Sequence, residues 1–504
     1  MDYNFSKRTW IFLWICLILI NVILRFPVTP HEIGNDSFLI HFISDSISVS
    51  GHAKWWIHPL SIVGLYPFSQ ASALPFFLSG VSQLISLAME QAMWVSLVSL
   101  GIFSLFTSYL MAGVINNDKI FKFITALIYS TSPGILYLTT WSASGRGFFL
   151  VMLPLFIYFL IKYRFSKLKY VFFTIILFIL LFATHNLFLL VIPIVLSFFF
   201  AILIRNIQFK SSVFFGSIVL LALFLFLFME LSIQETTLDK LILNYSRYVG
   251  IMGFFTIGGF ISILFKKNRT FEESFIILVL LFFTPLFGIV MYAKYFMLPL
   301  EALLASYGVV NLIRISQNRK TAYYIMLIFI IISMGVSEYY QFGRSNIEGQ
   351  SKSNAYWAEE STINAAQWTK SFTNKLVYTD DGVLNRRVLA YSGVNMFSEG
   401  PVVYPIQGTL GDFNVSMRSP FSSLFYLDGP YNLENQTGMT TWIWYKLYSE
   451  GLDGRWGNLA QNFNVNYYIK NERAISVFLG SRIGEVDKVF DNGNISIWNL
   501  RNLF

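Results

Sequence analysis

Charge and cysteine are what this sequence has least of. Only 13% of its 504 residues are Asp, Glu, Lys or Arg, about half the share of an ordinary soluble domain. With 55% hydrophobic and 18% aromatic residues, such a chain cannot hide its apolar surface in a water-soluble core alone. Lipid must solvate much of it. The one cysteine, Cys16, lies inside the first apolar run, which excludes internal disulfides and cysteine-based metal sites. Close metal spacing such as His-x-x-x-His is also missing, which argues against zinc. No internal repeat or low-complexity linker interrupts the chain. The formal net charge of +8 does not signal a nucleic-acid partner. The cations stand in short clusters between apolar runs, where membrane topology places them.

What is present is a series of apolar runs of spanning length. The first, Trp10 to Leu24, follows Lys7 and Arg8 and is succeeded by Arg25, Phe26 and Pro27 instead of a small-residue cleavage site. It reads as a membrane helix that stays, not as a signal peptide. Further runs fall near 71–88, 92–115, 120–138, 147–163, 168–184, 187–204, 213–231, 248–265, 272–291, 295–312 and 321–337. The stretch from Val171 to Arg205 would form a helix of about 51 Å, against a hydrocarbon core of about 30 Å. Thr184-His185-Asn186 is the natural place to fold it in two. The Ser- and Gln-bearing run 71–88 is taken as a partly inserted helix of the first external loop, 26–91. Lys119/Lys122, the cations from Lys162 to Lys169, Arg205/Lys210, Lys266/Lys267/Arg269 and Arg314/Arg319/Lys320 then all fall inside with the N-terminus, as the positive-inside preference requires. Eleven spans result, with the C-terminus outside.

From Glu338 onward the chain is polar. The helical pattern of Ala358–Thr373, the strand-like 375–379 and 465–469, and an Asn-Gly turn within 488–498 predict a mixed α/β domain over 338–504. Asn35, Asn414, Asn435 and Asn494 open Asn-x-Ser/Thr sequons, a frequency close to chance in so Asn-rich a chain.

The first external loop is the richest in chemistry. Four of the five histidines, His31, His41, His52 and His58, stand there with Glu32, Asp36 and Asp45. If Asn35 caps a helix, Glu32 and Asp36 sit together at its start. A carboxylate at that level can take a proton from an acceptor hydroxyl or help hold a divalent cation. The bland alternative makes Asp36 a simple helix-capping acid, and reads the histidines with Trp55 and Trp56 as interfacial anchors. Arg146, His185 and Lys294 fall at the same outer level and suit a lipid-linked phosphate, with snorkelling as the plainer account of each. Glu301 lies two turns into a span, where an ionisable group is costly and is usually functional or paired. Seven residues separate it from Lys294, which would place the two on one helical face. Glu230 and Glu235 are weaker candidates of the same kind.

This layout resembles the GT-C glycosyltransferases, archaeal members foremost, a group that includes oligosaccharyltransferase catalytic subunits and protein O-mannosyltransferases. Gly34-Asn-Asp36 followed by His41 resembles their loop-one acid with a nearby histidine. Gly51 to Leu60 with Tyr66-Pro67 resembles the approach to the partly inserted helix. Ser132-Pro-Gly through Gly145-Arg-Gly147 resembles the second external loop, and Lys294 to Pro299 the start of a late span. The sequence departs from oligosaccharyltransferases in two places. Ser142, Ser144 and Arg146 stand where those enzymes carry metal-binding acids. Residues 376–383, with Asp380 and Asp381, hold no WWDYG motif, and Asp-Gly there reads as a turn.

The resemblance therefore implies a polytopic α-helical GT-C-like membrane protein, domain 1–337, with an extracytoplasmic α/β domain, 338–504. It implies inverting transfer of a sugar from a polyprenyl (dolichyl) phosphate donor to a protein or glycolipid acceptor. Asp36 would be the general base with Glu32 beside it, and His41, Arg146, His185, Lys294 and Glu301 would bind substrate. No cofactor is firmly indicated; a divalent cation, Mg2+ or Mn2+, is the candidate, and the departures favour metal-independent transfer of a single sugar. Oligosaccharyltransferase-like transfer to protein, a non-catalytic membrane scaffold and a lipid-linked sugar transporter are the alternatives. The last lacks the paired interrupted helices expected of transporters.

Overall fold

The computed structural model describes residues 6–67, 69–164, 168–206, 248–283, 286, 293–316, 319–345, 357–373, 376–394, 396–397, 415–419, 422, 425, 429–433, 448–452 and 465–503. The run expected at 213–231, with Glu230 and Glu235, and the sequons at Asn414 and Asn435 lie outside the described residues.

The membrane part is a helical bundle. Its helices are α1 Lys7–Ile23, α2 Asn35–Ser50, α3 Ala73–Ile85, α4 Met89–Ile115, α5 Lys119–Thr131, α6 Pro133–Thr139, α7 Gly145–Tyr163, α8 Leu168–Thr184 and α9 Val191–Asn206. The helices Phe254–Leu264, Phe271–Phe283, Ala293–Ile315 and Arg319–Ser345 follow. Among the described residues, five helices are long and apolar enough to cross a membrane, and α3 and α8 are shorter apolar helices. The apolar sequence is what makes these helices obligatory: in hydrocarbon each backbone polar group must be satisfied within its own segment. The outward face of α8 shows the same solvent preference, with Phe172 60%, Ile175 54% and Ile179 57% exposed.

One expected span is broken. The run 120–138 divides at Ser132-Pro133 into α5 and α6, with Pro133 at the first position of the second helix. Proline has no N–H to donate to α5, but it fits a helix start, where that donor is unused. The break leaves the Ser130 carbonyl open to a side chain. Arg25, fully buried, fills it with Nη2 at 2.9 Å and also donates to Thr139 Oγ1 and to the carbonyl and side chain of Asn21. The cation that follows the first apolar run is thus the clasp between α1 and the α5–α6 break. The last long helix runs from Arg319 to Ser345, past the change to polar sequence at Glu338.

The C-terminal part carries helices Glu360–Phe372 and Gly382–Ser392 and strands β1 Leu376–Tyr378, β2 Met396–Phe397, β3 Val415–Met417, β4 Tyr431–Leu433, β5 Val465–Asn471, β6 Asp487–Asp491 and β7 Ile495–Asn499. The main sheet has the order β2-β1-β5-β7-β6, with β1 parallel to both β2 and β5. The predicted hairpin is the antiparallel β6–β7 pair. Its core continues into the segment between α1 and α4: Phe42, Ile43 and Ile47 of α2 share a buried cluster with Leu384, Val388 and Ile469. Trp55 belongs to that cluster too. It is fully buried, with its indole N–H 3.0 Å from the Gln70 carbonyl, so the interfacial anchor expected at this position is a core residue of the loop. Trp56, 44% exposed, keeps a more open position.

Candidate functional site

Gly34 (φ +92°) precedes α2, a backbone conformation that suits glycine. The helix therefore begins at Asn35 and is not capped by it, because Gly34 holds the capping position and offers no side chain. The consequence is that Glu32 and Asp36 part company. Asp36, in the first turn, points out with 60% of its side chain exposed, and its Oδ2 accepts from Arg146 Nη2 at 2.6 Å. Glu32 turns inward and is fully buried. Its Oε2 accepts from Ser37 Oγ at 2.7 Å, and its Oε1 meets His41 Nδ1 at 2.5 Å. Burial alone would lower the His41 pKa, but the Glu32 carboxylate, by charge and hydrogen bond, outweighs it with help from Asp45 and Glu90. The net shift is upward from 6.5. His41 thus lies in the support beneath the loop, bonded to Glu32.

Arg146 starts α7, where Ser144 caps the helix and also bonds the Arg146 Nε at 3.2 Å. Gly145 lets this helix start press on the α8 turn. A Cβ there would stand 2.6 Å from the Thr184 carbonyl and 3.3 Å from His185 Cδ2. The His185 Nδ1 accepts the Leu187 N–H at 3.1 Å, so a neutral His185 ring carries its proton on Nε2. Arg146 also lies 6.0 Å from the Tyr295 ring, over which Lys294 stands at 5.8 Å. Lys294 is 5.0 Å from the Tyr248 ring as well, and the Tyr248 and Tyr295 hydroxyls are 3.4 Å apart. Asp36, Arg146, Lys294 and the two tyrosines thus form one continuous group, with His185 packed beside it.

Glu301 is outside this group. No ion pair joins it to Lys294 among the described residues, and its buried Oε2 accepts no hydrogen bond. The pairing suggested by the seven-residue spacing fails because Lys294, at the helix start, lies over the tyrosine rings. No group of three His, Cys, Asp or Glu side chains is disposed to hold a metal ion among the described residues. Among the described residues, no second carboxylate joins Asp36 in a set that would hold a divalent cation. The side chain meeting the carboxylate is itself a cation, and residues 140–146 of the second loop contain hydroxyls but no carboxylate.

Three residues of this region carried no signal of their own in the sequence. Glu90 sits at the start of α4 and reads there as an acid favoured by the helix dipole. Tyr391 and Tyr248 lie in stretches with no pattern to single them out. Asp380 and Asp381 belong to the framework of the C-terminal part. Asp381 caps the helix Gly382–Ser392 and accepts from Asn471, and Asp380 accepts from the Tyr468 hydroxyl at 3.0 Å.

No protein-family model and no curated protein matches this sequence. Solved structures do. The Archaeoglobus fulgidus oligosaccharyltransferase, tethered with an acceptor peptide containing the NVT sequon, aligns over 93% of this chain and 69% of its own, with TM-score 0.61 and 13% identity. ArnT from Cupriavidus metallidurans bound to undecaprenyl phosphate aligns over 98% of both chains, with TM-score 0.51 and 10% identity. The arabinofuranosyltransferase AftD from Mycobacteria aligns over 98% of this chain and 40% of its own, with TM-score 0.50 and 11% identity. Identities this low speak for architecture. This chain has the fold of the GT-C glycosyltransferases.

Proposed function

We propose that this protein is a membrane glycosyltransferase that moves a single sugar from a polyprenyl-phosphate donor to an acceptor hydroxyl at the outer membrane surface. The observation that carries the reading is the 2.6 Å Asp36–Arg146 pair beside Lys294 and its two tyrosines. A carboxylate exposed at the mouth of a cationic group provides both halves of an inverting displacement. The acceptor oxygen attacks the anomeric carbon and Asp36 takes its proton. The bond from that carbon to the phosphate oxygen breaks, and the departing polyprenyl phosphate keeps the electron pair. Arg146 and Lys294 are placed to stabilise that charge, Arg146 by a fork of donors and Lys294 as a point charge.

The pairing also orders the steps. A donor phosphate competes with Asp36 for the Arg146 guanidinium, so donor binding frees the carboxylate to act as base. Glu32 and His41 support the loop from below in this reading, His185 flanks the phosphate, and no metal ion takes part. The likeness to proteins solved with dolichol phosphate and with undecaprenyl phosphate supports a lipid-linked donor. The charge pattern supports a cytoplasmic N-terminus and an outer C-terminal domain that helps select the acceptor.

The test is transfer from a polyprenyl-phosphate sugar by purified Asp36→Asn protein. We expect turnover to fall by about 100-fold or more. Wild-type turnover in the variant removes Asp36 as base. A wild-type protein that binds the lipid but transfers nothing is the outcome for a scaffold.

A further inference from the structure

The loop that carries Asp36 is gripped from three directions, and one grip comes from the C-terminal domain. From the bundle, Glu90 at the start of α4 places a single oxygen, Oε1, within 3.1 Å of the Glu32 backbone N–H and 3.0 Å of His31 Nδ1. From the second external loop, the Trp141 carbonyl accepts the Ile33 N–H at 3.0 Å, and the Ala143 N–H donates to Ser37 Oγ at 3.0 Å. Trp141 holds φ +44° to do so, an uncommon conformation for a bulky side chain and one that persists only where its surroundings over-determine it. From the C-terminal domain, the Tyr391 hydroxyl donates to the same Glu90 Oε1 at 3.0 Å, and the Ala358 N–H to the Glu32 carbonyl at 3.2 Å. The Tyr391 ring stands edge-on to His41, 5.2 Å between centroids. Burial, with the charges of Glu32 and Glu90, holds the Tyr391 hydroxyl far above its ordinary range, so it is a donor at any physiological pH.

We infer that Tyr391, acting through Glu90, is a positioning residue that fixes Asp36 beside Arg146, so that transfer by the membrane domain depends on docking of the C-terminal domain. Glu90 is the acceptor that the Tyr391 hydroxyl shares with the Glu32 backbone N–H. Four residues after Glu32, Asp36 stands in the first turn of α2, a turn tied to Glu32 by Ser37. Releasing Glu90 therefore loosens the base without touching it. The inference rests on the reading of Asp36 as base.

The experiment uses full-length protein in lipid nanodiscs with a polyprenyl-phosphate sugar as donor. Tyr391→Phe removes the hydroxyl and keeps the ring against His41. We expect kcat to fall about tenfold with donor KM changed by less than about twofold. Backbone amides of residues 31–37 should exchange hydrogen faster. A purely structural role would lower the melting temperature while leaving kcat per folded molecule intact. Glu90→Gln should behave like Tyr391→Phe, and the double variant should be no worse than the poorer single, because both break one chain of contacts. Unchanged kcat and unchanged exchange in Tyr391→Phe overturn the inference, as do additive effects in the double variant. If Tyr391→Phe lowers kcat and speeds exchange while Asp36→Asn keeps wild-type turnover, the assignment of Asp36 fails and the coupling to the C-terminal domain stands.

Discussion

The two ends of the bundle handle charge in different ways. At the end where α5 begins and α7 finishes, cations meet carboxylates directly: Arg314 with Asp118 at 2.7 Å, Arg164 with Glu272 at 3.1 Å and Lys266 with Glu273 at 2.7 Å. The first two join polar turns far apart in the chain, the third closes a single turn, and all three lie at helix ends. At the opposite end, Arg25 is held by neutral oxygens, Lys294 stands over tyrosine rings, and Glu32 and Glu90 meet histidines and a tyrosine. Among the described residues, Asp36 and Arg146 pair there across two loops, and Asp36 is largely exposed. The difference teaches that ion pairs at the first end serve assembly. The second end keeps positive charge oriented beside one accessible carboxylate, which suits an arriving anion.

Variants can break or sharpen that contrast. The largest effect is expected from Arg146→Gln, which removes both the phosphate fork and the partner of Asp36. We expect kcat/KM for the donor to fall about 100-fold, roughly 3 kcal/mol of transition-state binding. A loss below about threefold in steady-state assays removes Arg146 from the donor site.

A middle-sized effect is expected from pH. The folded-state pKa of His41 is raised, so its charge contributes stability that is fully present below the unfolded value near 6.5 and is lost as pH rises through the folded value. Thermal stability of the wild type should therefore slope downward across that window, and His41→Gln should flatten the slope. An identical slope in the variant places the pH dependence elsewhere.

The smallest effect belongs to the assembly end. Arg164→Gln should cost less than about 1 kcal/mol in stability, since the pair is partly exposed, and leave kcat unchanged. A fall in kcat as large as that of Arg146→Gln would erase the distinction between the ends.

Much of the architecture was legible in the residues. Apolar runs mark α4, α7 and α8, the Asn-Gly turn marks the β6–β7 hairpin, and Thr184-His185-Asn186 marks the fold between α8 and α9. These are local signals, written by solvent preference and turn chemistry within a few residues. Asp36, Arg146 and Lys294 were each visible as polar residues at the ends of apolar runs. The misreadings share one cause. Trp55 and the supposed Lys294–Glu301 pair were judged by sequence neighbours, but their environments come from elements far along the chain.

The sequence by itself determined that this chain is solvated by lipid, which helices it must form and on which stretches its polar residues collect. Hydropathy and backbone hydrogen bonding act over single segments, so they need no knowledge of the partner. Only the tertiary structure decided that Asp36 meets Arg146 across 110 positions, that Glu32 turns inward, and that Tyr391 reaches Glu90 from 301 positions away. Those contacts depend on helix packing and domain docking, which bring together residues whose local patterns carry no trace of one another.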